Sequence, residues 1–321
     1  MANEFTEYEE FVMREIVRHE LQPNMIEQAL SMAGSPASAV LEAARNSQFE
    51  VIRKIEENVE GAVVRALTTS INMANRAYSD RVVLDRFDRQ GICVNDIDDI
   101  RNRDIEGMDT AAKSFGAQNA VMLSAEGILM GAAAGLGEMI PFAQFAIPSI
   151  IAADVLASIT LLSRSACQVA ACYGRSSRLA ENIPHILACM APLQQTSDEG
   201  YIMMKGAITS AIREAGAFLA EKASQKITQE MIEKEAPALI RLIAMVASRL
   251  SVTITEKELG ILVPVAGGFI NSGLNLAFQQ AGQITSMDYF RRMTLEERHG
   301  DRAVSERIKL YSEEMGGGSQ V

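Results

Sequence analysis

Glycine recurs every fourth residue in the stretch GILMGAAAGLGE, Gly127 to Glu138, and this spacing restricts the possible folds more than any other feature of the chain. A comb of this kind serves one of two incompatible backbones. As a dinucleotide-binding loop it must follow a strand and open an uninterrupted helix. As a stripe on a helix, Gly127, Gly131 and Gly135 let a second backbone approach closely, in the small-x-x-x-small manner. The residues before the comb are helix formers, and Pro141 stands four positions past Gly137, where it would stop a following helix in its first turn. Tyr201 and Lys205 have the spacing of a catalytic phenol above a lysine, but no strand pattern surrounds them. The comb is therefore expected to be a helix-packing surface, a glycine zipper.

Helical periodicity runs through the rest of the chain. Phe49, Ile52, Ile55, Val59, Val63, Leu67 and Ile71 recur at three- and four-residue steps and predict one long amphipathic helix. Ser35 with Pro36 marks a helix start, and Thr196/Glu199 and Thr255/Glu258 have the spacing of capping boxes. The charge-dense stretch 78–103 is expected to be a solvated connection. A capped helix is expected from Asp109 to Pro141, and an antiparallel return from there to Tyr173 and Gly174, together a hydrophobic helical hairpin. Further on, Gly273, Ala277 and Ala281 form a second small-residue stripe beside a polar one of Asn271, Asn275 and Gln279, placed to pack against the comb. Low aromatic content (5%) and the absence of Trp agree with closely approaching helices. The expected fold is all-α, a multi-helix bundle around the glycine-rich hairpin. Its expected organisation is a helical segment over 1–48, the main helical domain over 49–300, and a C-terminal helix with a disordered tail over 301–321.

A net charge of −11 argues against a nucleic-acid binder, which needs surplus Lys and Arg on one face. Cys93, Cys167, Cys172 and Cys189 lack C-x-x-C spacing, and His19, His185 and His299 are scattered. All four cysteines are expected to be buried thiols, with no metal site and no cofactor. The acidic, amphipathic N-terminus lacks the basic start and apolar run of a secretory signal, so a cytoplasmic location is expected.

The hairpin raises the question of a membrane. From Phe142 to Leu162, about ten strongly apolar residues at roughly −0.3 to −0.6 kcal/mol each are largely offset by Asp154 at roughly +3 kcal/mol. Basic residues flank the hairpin, Lys113 before it and Arg164, Arg175 and Arg178 after it, as expected if its tip entered a bilayer from the cytoplasm. Glu126 and Asp154 lie in apolar helices, where an unpaired charge is costly. They are expected to be paired, with Arg164 one candidate partner, or to line a polar site.

The block AEGILMGAAAGLGEMIPFAQFAIPSIIAADVLASITLLSRSACQVAACYG resembles the signature of the EcsC family in its Glu-Gly start, spaced small residues, proline turn, Asp in the return helix and closing Tyr173-Gly174. Downstream, Pro264, Gly267, Asn275 and the Arg291-Arg292 pair are similar to that family's C-terminal block, so the resemblance covers roughly Glu50 to His299. It implies a bacterial, mostly helical protein of a family named after an operon that also encodes the subunits of an ABC transporter. It implies no particular reaction. The chain departs from the family pattern after Gly174, where RSSRLAEN replaces an aromatic and acidic continuation.

The leading expectation is a non-enzymatic protein that associates with the inner membrane face or a membrane protein through the hairpin. A soluble carrier of lipid or another hydrophobic small molecule, with its cavity between the hairpin and the Asn271 helix, is the alternative. An enzyme using Glu126 and Asp154 is the third.

Overall fold

The computed structural model describes residues 4–21, 49–74, 78–116, 119, 143–191, 198–222, 229–262 and 269–316. Its helices are α1 (Glu7–Leu21), α2 (Phe49–Met73), α3 (Asp80–Asp88), α4 (105–116), α5 (Ala143–Cys172), α6 (Ile183–Cys189), α7 (Asp198–Glu221), α8 (Gln229–Glu235), α9 (Pro237–Leu262), α10 (Phe269–His299) and α11 (Asp301–Gly316). Short 3-10 turns lie at Asp98–Asn102 and Ala180–Asn182. No strand occurs among the described residues, so the fold is all-α.

Helix α5 is the axis of the molecule: α2, α3, α6 and α10 all pack on it. Helix α9 closes the other side of α2 and touches α7, α6 and α10, while α1 lies on α11 and α10. One hydrophobic core runs from Val12 in α1 to Tyr311 in α11. The periodicity read in α2 has its physical meaning here, since Val59, Val63, Leu67 and Ile71 are all buried. Where α5 meets α10 the backbones approach closely, because Gly282 leaves room for Leu162 and a Cβ there would overlap the leucine methyl. Gly273 lies in α10, whereas Gly127, Gly131 and Gly135 fall outside the described residues.

Helix α5 ends as its Tyr-Gly signal predicts. Gly174 takes φ +74°, and Arg175 N–H returns to Ala170 O at 2.8 Å. A side chain is excluded there twice over, by the left-handed backbone and by the Arg101 backbone nitrogen, which would lie 2.9 Å from a Cβ.

Four expectations differ from the structure. The stretch 78–103 is more than a connection: α3 buries Val83 and Phe87, and the following turn buries Ile97 and Ile100. A few apolar anchors suffice to dock it, and its charges hide them from a count of composition. Helix α4 begins at 105 rather than at Asp109, because the Asp104 carboxylate accepts the Gly107 N–H at 2.7 Å and caps it. Thr255 and Glu258 lie inside α9 instead of opening a helix, since burial of Leu250 and Ile254 carries the helix through them. Cys93 is exposed, unlike the other three cysteines. The helix starts read at Ser35-Pro36 and at Thr196 lie outside the described residues.

Candidate functional site

Moving the start of α4 back to 105 places Asp109 on the inner face of the helix, where it is completely buried. A carboxylate in that position must be neutralised. Arg291 of α10, only 3% exposed, donates to it from Nε at 3.0 and 3.1 Å and from Nη2 at 2.6 Å. Tyr8 Oη of α1 donates to Oδ2 at 2.8 Å, and Tyr173 Oη, at the end of α5, donates to Oδ1. Three chain segments remote from one another in sequence therefore meet at one carboxylate.

The charges continue outward from Arg291. Its Nη1 donates to Asp288 Oδ1 at 2.9 Å, and the other Asp288 oxygen lies 2.7 Å from His19 Nδ1. His19 Nε2 is 3.9 Å from Glu15. Burial and the Asp109 carboxylate push the Tyr8 and Tyr173 phenols up, so both remain donors. Burial works against the Arg291 charge, yet its hydrogen bonds to Asp109 hold the guanidinium above its ordinary value. The hydrogen bond to Asp288 raises His19 despite burial.

Beside Arg291 is a cavity of about 350 Å³ between α1, α4, α5 and α10. Leu276, Ile284 and Met287 supply apolar wall, and His19 and Glu15 stand at its charged end. Two buried glutamines also line it. Gln279 Nε2 donates to Ser158 O of α5 and Gln283 Nε2 to Ala112 O of α4, both at 2.9 Å. Gly116 makes room for the second amide, since a Cβ there would lie 2.5 Å from Gln283 Nε2.

The residues expected to form a site are only partly brought together here. Arg291 and Tyr173 both bind Asp109, while Gly174 turns the chain after Tyr173 and accepts Arg101 Nε at 2.9 Å. Arg292 does not bind Asp109 and pairs with Glu296 at 2.8 Å. Arg164 is exposed on α5. Asn275 is half-buried in α10 next to cavity-lining Leu276. Glu126 lies outside the described residues; Asp154 falls within α5 and Asn271 within α10, at positions whose side chains are not described. Asp109, Asp288, Tyr8, His19, Gln279 and Gln283 form the polar site, and of these only Gln279 stood out in the sequence, as part of a polar stripe. The Asp288/Arg291 spacing of three was a legible local pair. The contribution of α1 had no sequence signal.

As chemistry, the network is saturated. The Asp109 carboxylate is occupied by donors, and burial raises the Cys189 thiol, whose Sγ lies 3.5 Å from Ser286 Oγ of α10, to about 12. Among the described residues, no group of His, Cys, Asp and Glu has the arrangement to hold a metal ion.

A model of the EcsC protein family matches residues 23–294. Neither a curated protein nor a solved structure gives a significant match. The matched span includes Asp109, Tyr173, Asp288 and Arg291, whereas Tyr8, Glu15 and His19 of α1 precede it.

Proposed function

The chain belongs to the EcsC protein family, and from that premise we propose that it is a non-catalytic helical protein that binds an amphiphile in the cavity between α1, α4, α5 and α10. The cavity carries the proposal. At about 350 Å³ it falls in the range of small-molecule sites, roughly 300–1,000 Å³, and it joins an apolar wall to a polar end as such sites do. A catalytic role for the buried acid is disfavoured by its own hydrogen bonds: a carboxylate held by Arg291, Tyr8 and Tyr173 is a poor general base.

Membrane association through the hairpin is the second reading. Val155–Cys172 is long and apolar enough to cross a bilayer. Yet 72% of that stretch is buried against neighbouring helices, so its apolar surface already serves the core, which favours the cavity.

Native mass spectrometry of the full chain, purified without detergent from its host, tests the proposal. The expected spectrum contains a lipid-mass adduct released on denaturation. A bare polypeptide in every preparation that also fails to take up added amphiphile overturns it.

A further inference from the structure

The orientation of the two buried glutamines defines what kind of head group the cavity accepts. Ser158 O and Ala112 O are backbone carbonyls, which only accept, so the side-chain NH₂ groups of Gln279 and Gln283 must face them. Each amide is thereby locked with its oxygen on the other side. Gln279 Oε1 has no protein donor among the described residues, and Gln283 Oε1 receives only Ser165 Oγ at 3.4 Å, a long contact that leaves acceptor capacity. Both residues are at least nine-tenths buried and line the cavity, so the bound molecule is the natural source of donors for these oxygens.

Charge narrows the class further. Around the cavity, the acids Glu15, Asp109 and Asp288 face the basic residues Lys113, Arg291 and His19. Arg291 is held from both sides by Asp109 and Asp288, and Lys113 is exposed at the rim, where solvent screens it. A carboxylate head seated between Gln279 and Gln283 would face their carbonyl oxygens, which cannot donate to it, while Arg291 and His19 are already engaged with Asp109 and Asp288. An ammonium head would enter beside Arg291 and find the nearby acids engaged, Asp109 and Asp288 by Arg291 and Glu15 by Arg18.

We infer that the cavity selects a neutral, hydroxyl-bearing head group, seated on the carbonyl oxygens of Gln279 and Gln283, with its alkyl portion against Leu276, Ile284 and Met287. This rests on the amphiphile-binding proposal above.

Calorimetric titration of the full chain with 1,2-decanediol, decanoate and decylamine, each below its aggregation concentration, tests the inference. The diol is expected to bind about tenfold more tightly than either charged probe, the scale of one buried hydrogen bond. Gln279→Met, close in shape and lacking the acceptor, is expected to lose about tenfold for the diol and to leave decanoate unchanged. The wild-type ranking stands alone if that variant fails to fold. Decanoate or decylamine binding as tightly as the diol overturns the head-group inference and leaves amphiphile binding intact. No binding by any of the three overturns both.

Discussion

Asp109 and Arg291 stand 182 residues apart in the chain and share three hydrogen bonds in the interior, with Asp109 wholly excluded from solvent. The pair fastens α4 to α10, and Tyr8 and Tyr173 add α1 and the end of α5 to the same carboxylate. Removing one member leaves the other charged in an apolar interior, which costs far more than the pair contributes when intact.

Arg291→Met is therefore expected to destabilise the protein by about 3–5 kcal/mol, and Tyr173→Phe by about 1.5–3 kcal/mol. Adding Asp109→Leu to Arg291→Met should recover part of the loss, because the fully buried Asp109 charge is then no longer left without its partner, while Asp288 keeps His19. Urea denaturation reads all three; additive losses in the double variant would refute coupling between the two residues.

Two histidines give the stability curve opposite slopes. Burial, with Arg175 nearby, lowers His185 from 6.5 to about 4, so the unfolded chain binds a proton that the folded protein refuses. Stability is thus expected to fall by on the order of 3 kcal/mol as pH drops from about 6.5 towards 4, and His185→Gln should flatten that limb. His19 is raised by Asp288, with Glu15 adding to it, so its contribution is fully present below its unfolded value of 6.5 and is lost as pH rises through the higher folded one. His19→Gln should flatten the alkaline limb only. Melting temperatures measured across pH for both variants check the signs.

Gly174→Ala and Gly300→Ala separate backbone strain from collision. Both glycines have positive φ, +74° and +85°, but only Gly174 would press a Cβ against backbone. Gly300→Ala is expected to cost about 1 kcal/mol and Gly174→Ala clearly more. Gly282→Ala should fall between them, since the obstructing Leu162 methyl belongs to a side chain with some freedom to turn. Equal melting temperatures for the Gly174 and Gly300 variants would remove the close approach of Arg101 as a constraint.

Thiol titration has a sharp expected outcome. Cys93 is exposed, whereas Cys167, Cys172 and Cys189 are buried and their thiols are pushed up by that burial. One thiol should react rapidly in the native protein and four after denaturation. Fast reaction of a second thiol in the native state would place one of the buried three at the surface.

Some features were legible because they are local. The apolar spacing of α2, the Tyr173-Gly174 stop of α5 and the lack of strand patterning all follow from residues a few positions apart. Other local signals were overridden: the Thr255/Glu258 box is a plausible cap, yet burial of Ile254 keeps α9 continuous through it. Asp109 resembled a helix start because Asp104, the actual cap, sits one turn earlier among several acids.

By itself, the sequence determined the all-α class and the family, because helical period, turn residues and spaced motifs are written within short windows of chain. Only the tertiary structure decided that Asp109 meets Arg291, that His19 from α1 reaches Asp288, and that Gln279 and Gln283 present their oxygens to a cavity. Those relations depend on which helix faces which across hundreds of residues. The physical reason is that a buried charge or amide is defined by its partner, and the partner is chosen by packing rather than by sequence neighbourhood.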